Sequence, residues 1–243
     1  MGRIFEKRKD RMFARWAKNA KAFTKVGKEI AVAVKLGGGD PNGNPRLRMA
    51  IQTARSLNMP KDRIDAAVKR ATSKDAEDLQ EVVYEGYAPH GVAIIVETTT
   101  NNPTRTVANV RSIITNYGGT LGTTGSLDYL FNRRGVFSIT KPSGDMDEVE
   151  LDLIDHGLED MFETDEGLLL YCSFEQFGEM QSALEKHKVE VQSAGLQRFP
   201  VSTVAIKGEH ETEIEELIAA LEEDDDVQHV YNNMLTAEGS TEG

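Results

Sequence analysis

The stretch GVFSITKPSGDMDEVELDLIDHGLEDMFETDEGLLLYCSFEQFGEMQSALEKHKVEVQSAGLQR, residues 135–198, decides the fold. Its apolar spacing and its turn residues predict a strand at 136–140, a helix at 146–156, strands at 158–163 and 168–173, a helix at 175–187 and a strand at 189–198. That order, βαββαβ, is the ferredoxin-like unit. Upstream, 82–87 and 92–100 read as strands and 104–117 as a helix. The turn-rich Gly118–Gly125 follows, and 127–131 reads as a further strand. Downstream of Pro200, a strand at 201–206, a helix at 211–221 and a strand at 227–231 remain. The βαββαβ unit already has its six elements, so this tail is expected to return to the upstream segment, making the middle unit an insertion.

The first 75 residues have a different pattern. Phe13, Trp16, Ala20, Phe23, Gly27, Ile30 and Val34 recur at gaps of three and four, one stripe of a long helix. Arg8, Arg11, Arg15, Lys18, Lys21, Lys25, Lys28 and Lys35 fall on the side away from that stripe. Gly37-Gly38-Gly39-Asp40-Pro41 ends the helix. A second helix from Pro45 buries Leu47, Ala50, Ile51, Ala54 and Leu57, and a third, with Pro60 in its first turn, buries Ile64, Ala67, Val68 and Ala71. The expected architecture is therefore α+β in three domains. Residues 1–75 form a basic three-helix domain, 76–133 plus 200–238 a discontinuous α+β domain, and 134–199 an inserted ferredoxin-like domain.

The net charge of -12 conceals its distribution. Residues 1–74 carry 19 Lys+Arg against 6 Asp+Glu, a balance of +13, and residues 75–243 carry -25. A basic module of that density attracts polyanions, while the acidic remainder is expected to face away from the same partner. Lys and Arg along a helix meet phosphates, which fix position without reading bases. Arg46, Arg48, Lys61 and Arg63 flank the first helix and join the candidate set. One cysteine, Cys172, excludes an intrachain disulfide and a Cys-based zinc site. No apolar run approaches the ~20 residues of a membrane span. The charged N-terminus is no secretory signal, and a cytoplasmic location is expected.

Several loops occur together in one order: Lys35–Pro41, Asn44-Pro45-Arg46-Leu47-Arg48, Asn58-Met59-Pro60-Lys61, Tyr84-Glu85-Gly86-Tyr87, Thr104-Arg105-Thr106-Val107, Gly118–Ser126 and Asp225–Tyr231. Over about 200 residues, from Ala22 to Tyr231, the chain resembles the YebC family, the YebC/PmpR probable transcriptional regulators, related to the mitochondrial translational activator of cytochrome oxidase. The resemblance implies three domains with an insertion, no known catalysis and a regulatory role. Bacterial members have usually been labelled DNA-binding transcriptional regulators. Others act on ribosomes to assist translation through difficult sequences such as proline runs. The chain departs from the family at its start, where Gly2-Arg3-Ile4-Phe5-Glu6-Lys7 replaces a Gly-His-Ser-Lys-Trp-like segment.

The remaining features read as structural. Phe5, Phe13, Trp16 and Phe23 have core spacing rather than the arrangement of a base-stacking platform. Amphipathicity of the first helix would also suit an anionic membrane surface, but the apolar stripes of helices two and three can cover it. Gly118–Gly125 lacks the ending of a P-loop and the spacing of a dinucleotide site. Histidines 90, 156, 187, 210 and 229 show no ligand spacing, Glu222–Asp226 lacks the EF-hand pattern, and Cys172 sits in an apolar strand. No cofactor, metal site or catalytic set is expected. The expected function is a non-enzymatic nucleic-acid-binding regulator of gene expression, a DNA-binding transcriptional regulator. The alternative is a ribosomal-RNA-binding translation factor, with the ribosome or other proteins met through the acidic domains.

Overall fold

The computed structural model describes residues 22–74, 76–141, 146–165 and 167–235. Helix α1, Ala22–Gly37, buries Val26, Ile30, Ala33 and Val34 at gaps of four, three and one. It stops where Gly38 takes a left-handed φ of 83° and its N–H bonds the Val34 carbonyl at 2.8 Å. Helix α2, Pro45–Ser56, starts from Asn44, whose Oδ1 accepts from the Leu47 N–H at 3.0 Å. The buried Asn44 amide also donates to the carbonyls of Ala33 at 2.7 Å and Gly38 at 2.8 Å, so one side chain joins the end of α1 to the start of α2. Gly37 leaves room for it, since a Cβ there would lie 2.7 Å from the Asn44 amide. Helix α3, Lys61–Ala71, closes the helical layer through Ile64, Ala67, Val68 and Ala71.

Two antiparallel four-stranded sheets follow. The first has the order β3-β1-β2-β9, with β1 Gln80–Tyr87, β2 Ala93–Thr100, β3 Thr120–Leu121 and β9 Val227–Asn232. Strands β1 and β2 pair from Gln80↔Thr100 to Tyr87↔Ala93, across a single 3-10 turn at Pro89–Gly91. Strand β9 pairs antiparallel with β2, Ile95 opposite Tyr231, so the tail returns to this sheet. Helices α4, Pro103–Asn116, and α7, Glu209–Glu222, cover one face around Ile94, Val96, Val110, Ile114, Leu217 and Leu221. Ala93, Ile95, Leu127 and Phe131 pack on the other face. The first half of β2, Ala93-Ile94-Ile95-Val96, is buried on both sides, which is why it is a continuous apolar run rather than an alternation.

The second sheet has the order β5-β6-β4-β7, with β4 Phe131–Ile139, β5 Leu158–Thr164, β6 Gly167–Ser173 and β7 Val191–Pro200. Helices α5, Met146–Asp155, and α6, Phe177–Lys186, alternate with these strands in the βαββαβ order. Phe137, Ile139, Leu153, Leu170, Met180 and Leu184 fill the core between helices and sheet. Cys172 is fully buried there, and burial, with the Glu159 charge adding, pushes its thiol up to about 11, the state of an inert packing residue. The short strands β8, Val204–Ala205, and β10, Met234–Leu235, pair in parallel beside the first sheet.

Two expected strands are corrected. Residues 127–131 do not form one strand: Asp128–Leu130 is a 3-10 turn and β4 begins only at Phe131. The cause is Glu85, a buried carboxylate whose oxygens accept from the N–H groups of Gly125 at 2.7 Å and Leu127 at 2.6 Å. Those bonds divert residues 125–127 from strand pairing and explain the turn-rich loop without a phosphate. Strand 201–206 is likewise reduced to two residues. The boundaries drawn at 133/134 and 199/200 fall inside β4 and β7, which pair without a break from Phe131↔Pro200 to Ser138↔Ser193.

Replacing Glu85 with Ala is expected to destabilise the protein by about 3 kcal/mol, because the buried Leu127 N–H and the part-buried Gly125 N–H lose a charged acceptor. Urea unfolding should show a lower midpoint with an unchanged slope. A loss below about 1 kcal/mol would mean that water replaces the carboxylate.

Candidate nucleic-acid interface

The cations chosen from sequence divide into three groups. Arg8, Arg11, Arg15, Lys18 and Lys21 lie outside the described residues. Lys25, Lys28, Lys35, Arg46 and Arg48 are engaged by acceptors of the protein itself. Lys61 and Arg63, on α3, are exposed.

The second group corrects the expectation that the acidic remainder faces away from the basic helix. Lys28 Nζ lies 2.7 Å from Asp226 Oδ1, 2.8 Å from the Asp225 carbonyl and 3.1 Å from the Thr99 carbonyl. An ammonium has three N–H donors, and here all three are occupied. Lys25 Nζ reaches the Glu222 carbonyl at 3.4 Å. Lys35 pairs with Asp78 and bonds the Leu79 carbonyl at 3.0 Å. Arg46 makes a two-pronged contact with Glu81. Arg48 donates to the carbonyls of Pro41 at 2.9 Å and Asn42 at 3.0 Å, and to Glu185 on α6 at 3.2 Å. The helical layer is thus fastened by its own cations to both sheets' units.

Asp226 is the centre of this fastening. Its second oxygen accepts from Arg105 Nη2 at 2.8 Å, Thr106 Oγ1 at 2.8 Å and Thr100 Oγ1 at 3.1 Å. Burial alone would raise the carboxyl, but the hydrogen bonds from Lys28, Arg105 and Thr106 outweigh it and hold the group at about 2. The segments Thr104-Arg105-Thr106 and Asp225-Asp226-Val227, which carry part of the family resemblance, therefore meet at one ion-pair network. A similar tie joins the sheets, where Arg198 on β7 donates to Glu97 on β2 at 2.8 Å.

The cations left open are those of α3 and its neighbours. Arg55, Lys61, Arg63, Lys69, Arg70 and Lys74 are all exposed, and none has an ion-pair partner among the described residues. Arg63 and Arg70 are seven residues apart and so lie within about 20° of each other around the helix. Arg55, Lys69, Arg70 and Lys74 were not singled out from sequence. The available signal was that α3 and its flanks hold more cations than its two aspartates, Asp62 and Asp65, can offset.

Residues 3–74 match the TACO1/YebC protein N-terminal domain, and residues 79–234 match the TACO1/YebC second and third domain. The chain belongs to the TACO1/YebC family. A probable transcriptional regulatory protein of Anaeromyxobacter dehalogenans strain 2CP-1 is 53% identical to this YebC-family chain over 239 residues, covering 96% of the chain and 100% of the relative. One from Campylobacter fetus subsp. fetus is 51% identical over 234 residues, with coverage of 96% and 100%. Among solved structures, the crystal structure of a conserved hypothetical protein from Aquifex aeolicus superposes on this YebC-family fold with a TM-score of 0.76. It has 39% sequence identity and covers 92% of this chain and 93% of that one. The names of the relatives describe regulators of transcription, not an enzyme class. No helix among the described residues is long and apolar enough to cross a membrane.

Proposed function

We propose that this protein is a non-enzymatic, DNA-binding regulator of gene expression that works in the cytoplasm and holds phosphates through the open cations of its helical layer. The chain is read as three domains, 1–75, 76–133 with 200–238, and 134–199, the second and third joined by the continuous β4–β7 pair. The observation that carries the reading is the contrast between two kinds of cation in one layer. Lys28, Lys35, Arg46 and Arg48 are neutralised by carboxylates, and Lys61, Arg63, Lys69 and Arg70 are not. An uncompensated cluster on a protein of net charge -12 is a local field that an anionic polymer can use while the rest of the surface repels it. The phosphate-binding set is therefore Lys61 and Arg63, joined by Arg55, Lys69, Arg70 and Lys74; Arg8, Arg11, Arg15, Lys18 and Lys21, outside the described residues, are counted with it on their charge alone. Lys25, Lys28, Lys35, Arg46 and Arg48 serve mainly to position the layer. Binding through phosphates positions the protein without reading bases.

The test is fluorescence anisotropy of a labelled 30-base-pair duplex titrated with the whole chain at a series of salt concentrations. Log K is expected to fall linearly with log salt, by roughly 0.9 per phosphate contact. Absence of binding to any duplex at about 50 mM salt, where such contacts are strongest, would overturn the proposal.

A further inference from the structure

Away from the basic layer, two segments far apart in sequence bring three metal-ligating side chains together. His90 sits in the Pro89–Gly91 turn between β1 and β2, His210 lies on the first turn of α7, and Glu213 follows it three residues on. His90 Nε2 is 2.9 Å and His210 Nδ1 3.5 Å from the same Glu213 oxygen, Oε2. The two imidazole rings lie side by side, tilted by 39°, with centroids 3.8 Å apart. One ligand atom from each residue falls within 4.8 Å of the others. We propose that His90, His210 and Glu213 form a binding site for a divalent transition-metal ion of the zinc class, which clamps the β1–β2 turn to the start of α7.

The donor chemistry is that of a borderline ion: two imidazole nitrogens and one carboxylate oxygen, with further positions left to water. Ligand atoms around a tetrahedral ion with bonds near 2.0–2.2 Å stand roughly 3.3–3.5 Å apart, so small side-chain movements complete the set. A cation beside a helix N-terminus meets the positive end of the helix dipole, and the acidic first turn, with Glu209 and Glu211, offsets that cost. His90 has a φ of 63°, a backbone state uncommon for residues other than glycine, and in it the imidazole is turned onto α7. Only His210 and Glu213 share a run of sequence, three positions apart, and His90 stands 123 positions before Glu213, so no complete spacing motif marks the set.

The experiment is calorimetric titration of the chelator-stripped full-length chain with zinc chloride, repeated with the double variant His90→Gly and His210→Ala. Glycine suits the left-handed backbone at position 90, and position 210 is exposed, so the variant should keep its fold; circular dichroism and thermal unfolding of the metal-free form verify this. One equivalent is expected to bind the wild-type protein and raise its thermal midpoint. The double variant should bind at least about tenfold more weakly, since losing direct ligands costs no less than losing their outer-shell partners. Absence of saturable zinc binding to the wild type, or an affinity in the double variant within a few-fold of it, would overturn the assignment.

Discussion

Replacing Asp226 with Ala is expected to cost about 3–5 kcal/mol, because it breaks a buried, hydrogen-bonded ion pair. The substitution strands the Lys28 ammonium, whose side chain is only 17% exposed, with two carbonyls and no counter-charge. It also removes the acceptor of Arg105, Thr106 and Thr100. Lys28→Met should cost less, because Asp226 keeps Arg105 and both threonines. The same network predicts a pH dependence. The folded carboxyl, at about 2, lies below its unfolded value near 3.8, so its contribution is fully present above pH 4 and is lost as pH falls through 2. The amount is about 2 kcal/mol. Urea unfolding at pH 7 and at pH 2.5 measures both effects, and the Asp226→Asn protein should have a flatter acid limb than the wild type. An Asp226→Ala protein within about 1 kcal/mol of wild type at pH 7 would show that the helical layer is held by packing alone.

Removing the open cations of α3 should have its largest effect on binding rather than stability. At 0.1 M salt, counterion release contributes about a factor of ten per phosphate contact. A chain carrying Lys61→Ala, Arg63→Ala, Lys69→Ala and Arg70→Ala is therefore expected to bind duplex DNA about 10²–10⁴-fold more weakly, depending on whether two or all four make contacts. All four side chains are exposed, so the unfolding midpoint should move little; the loss of Lys69 and Arg70 from the last turn of α3 removes only a favourable dipole interaction. Sequence preference should be unchanged. A binding loss under threefold would place the phosphate contacts elsewhere.

Much of the fold was legible because periodicity reports burial directly. The βαββαβ order of residues 131–200 came from alternating strands and three-four spacing, and the return of residues 227–231 to the first sheet came from a count of leftover elements. The 127–131 segment was misread because its conformation is set by Glu85, forty residues away, which no local pattern records. The site was less legible than the fold for a similar reason. A charge sum over residues 1–74 treats each lysine as open, but Lys28 finds its partner 198 positions further on, at Asp226. Position on the side of α1 away from its stripe did not mean exposure, because the end of the first sheet covers that side. Nothing local to Asp226, Asp78 or Glu81 marks them as partners of these cations, and only the tertiary structure brings them together. The histidines illustrate the same limit, since ligands drawn from two distant segments have no spacing to read.

The most direct test of this division of labour is the salt dependence of duplex binding in two variants compared with the wild type. One variant carries the four alanines on α3, and the other carries Lys35→Ala with Arg46→Ala, whose partners Asp78 and Glu81 already neutralise them. The α3 variant is expected to flatten the slope of log K against log salt by about two to four units, and the Lys35/Arg46 variant by less than about half a unit. An unchanged slope in the α3 variant, with the loss appearing instead in the Lys35/Arg46 variant, would contradict the account.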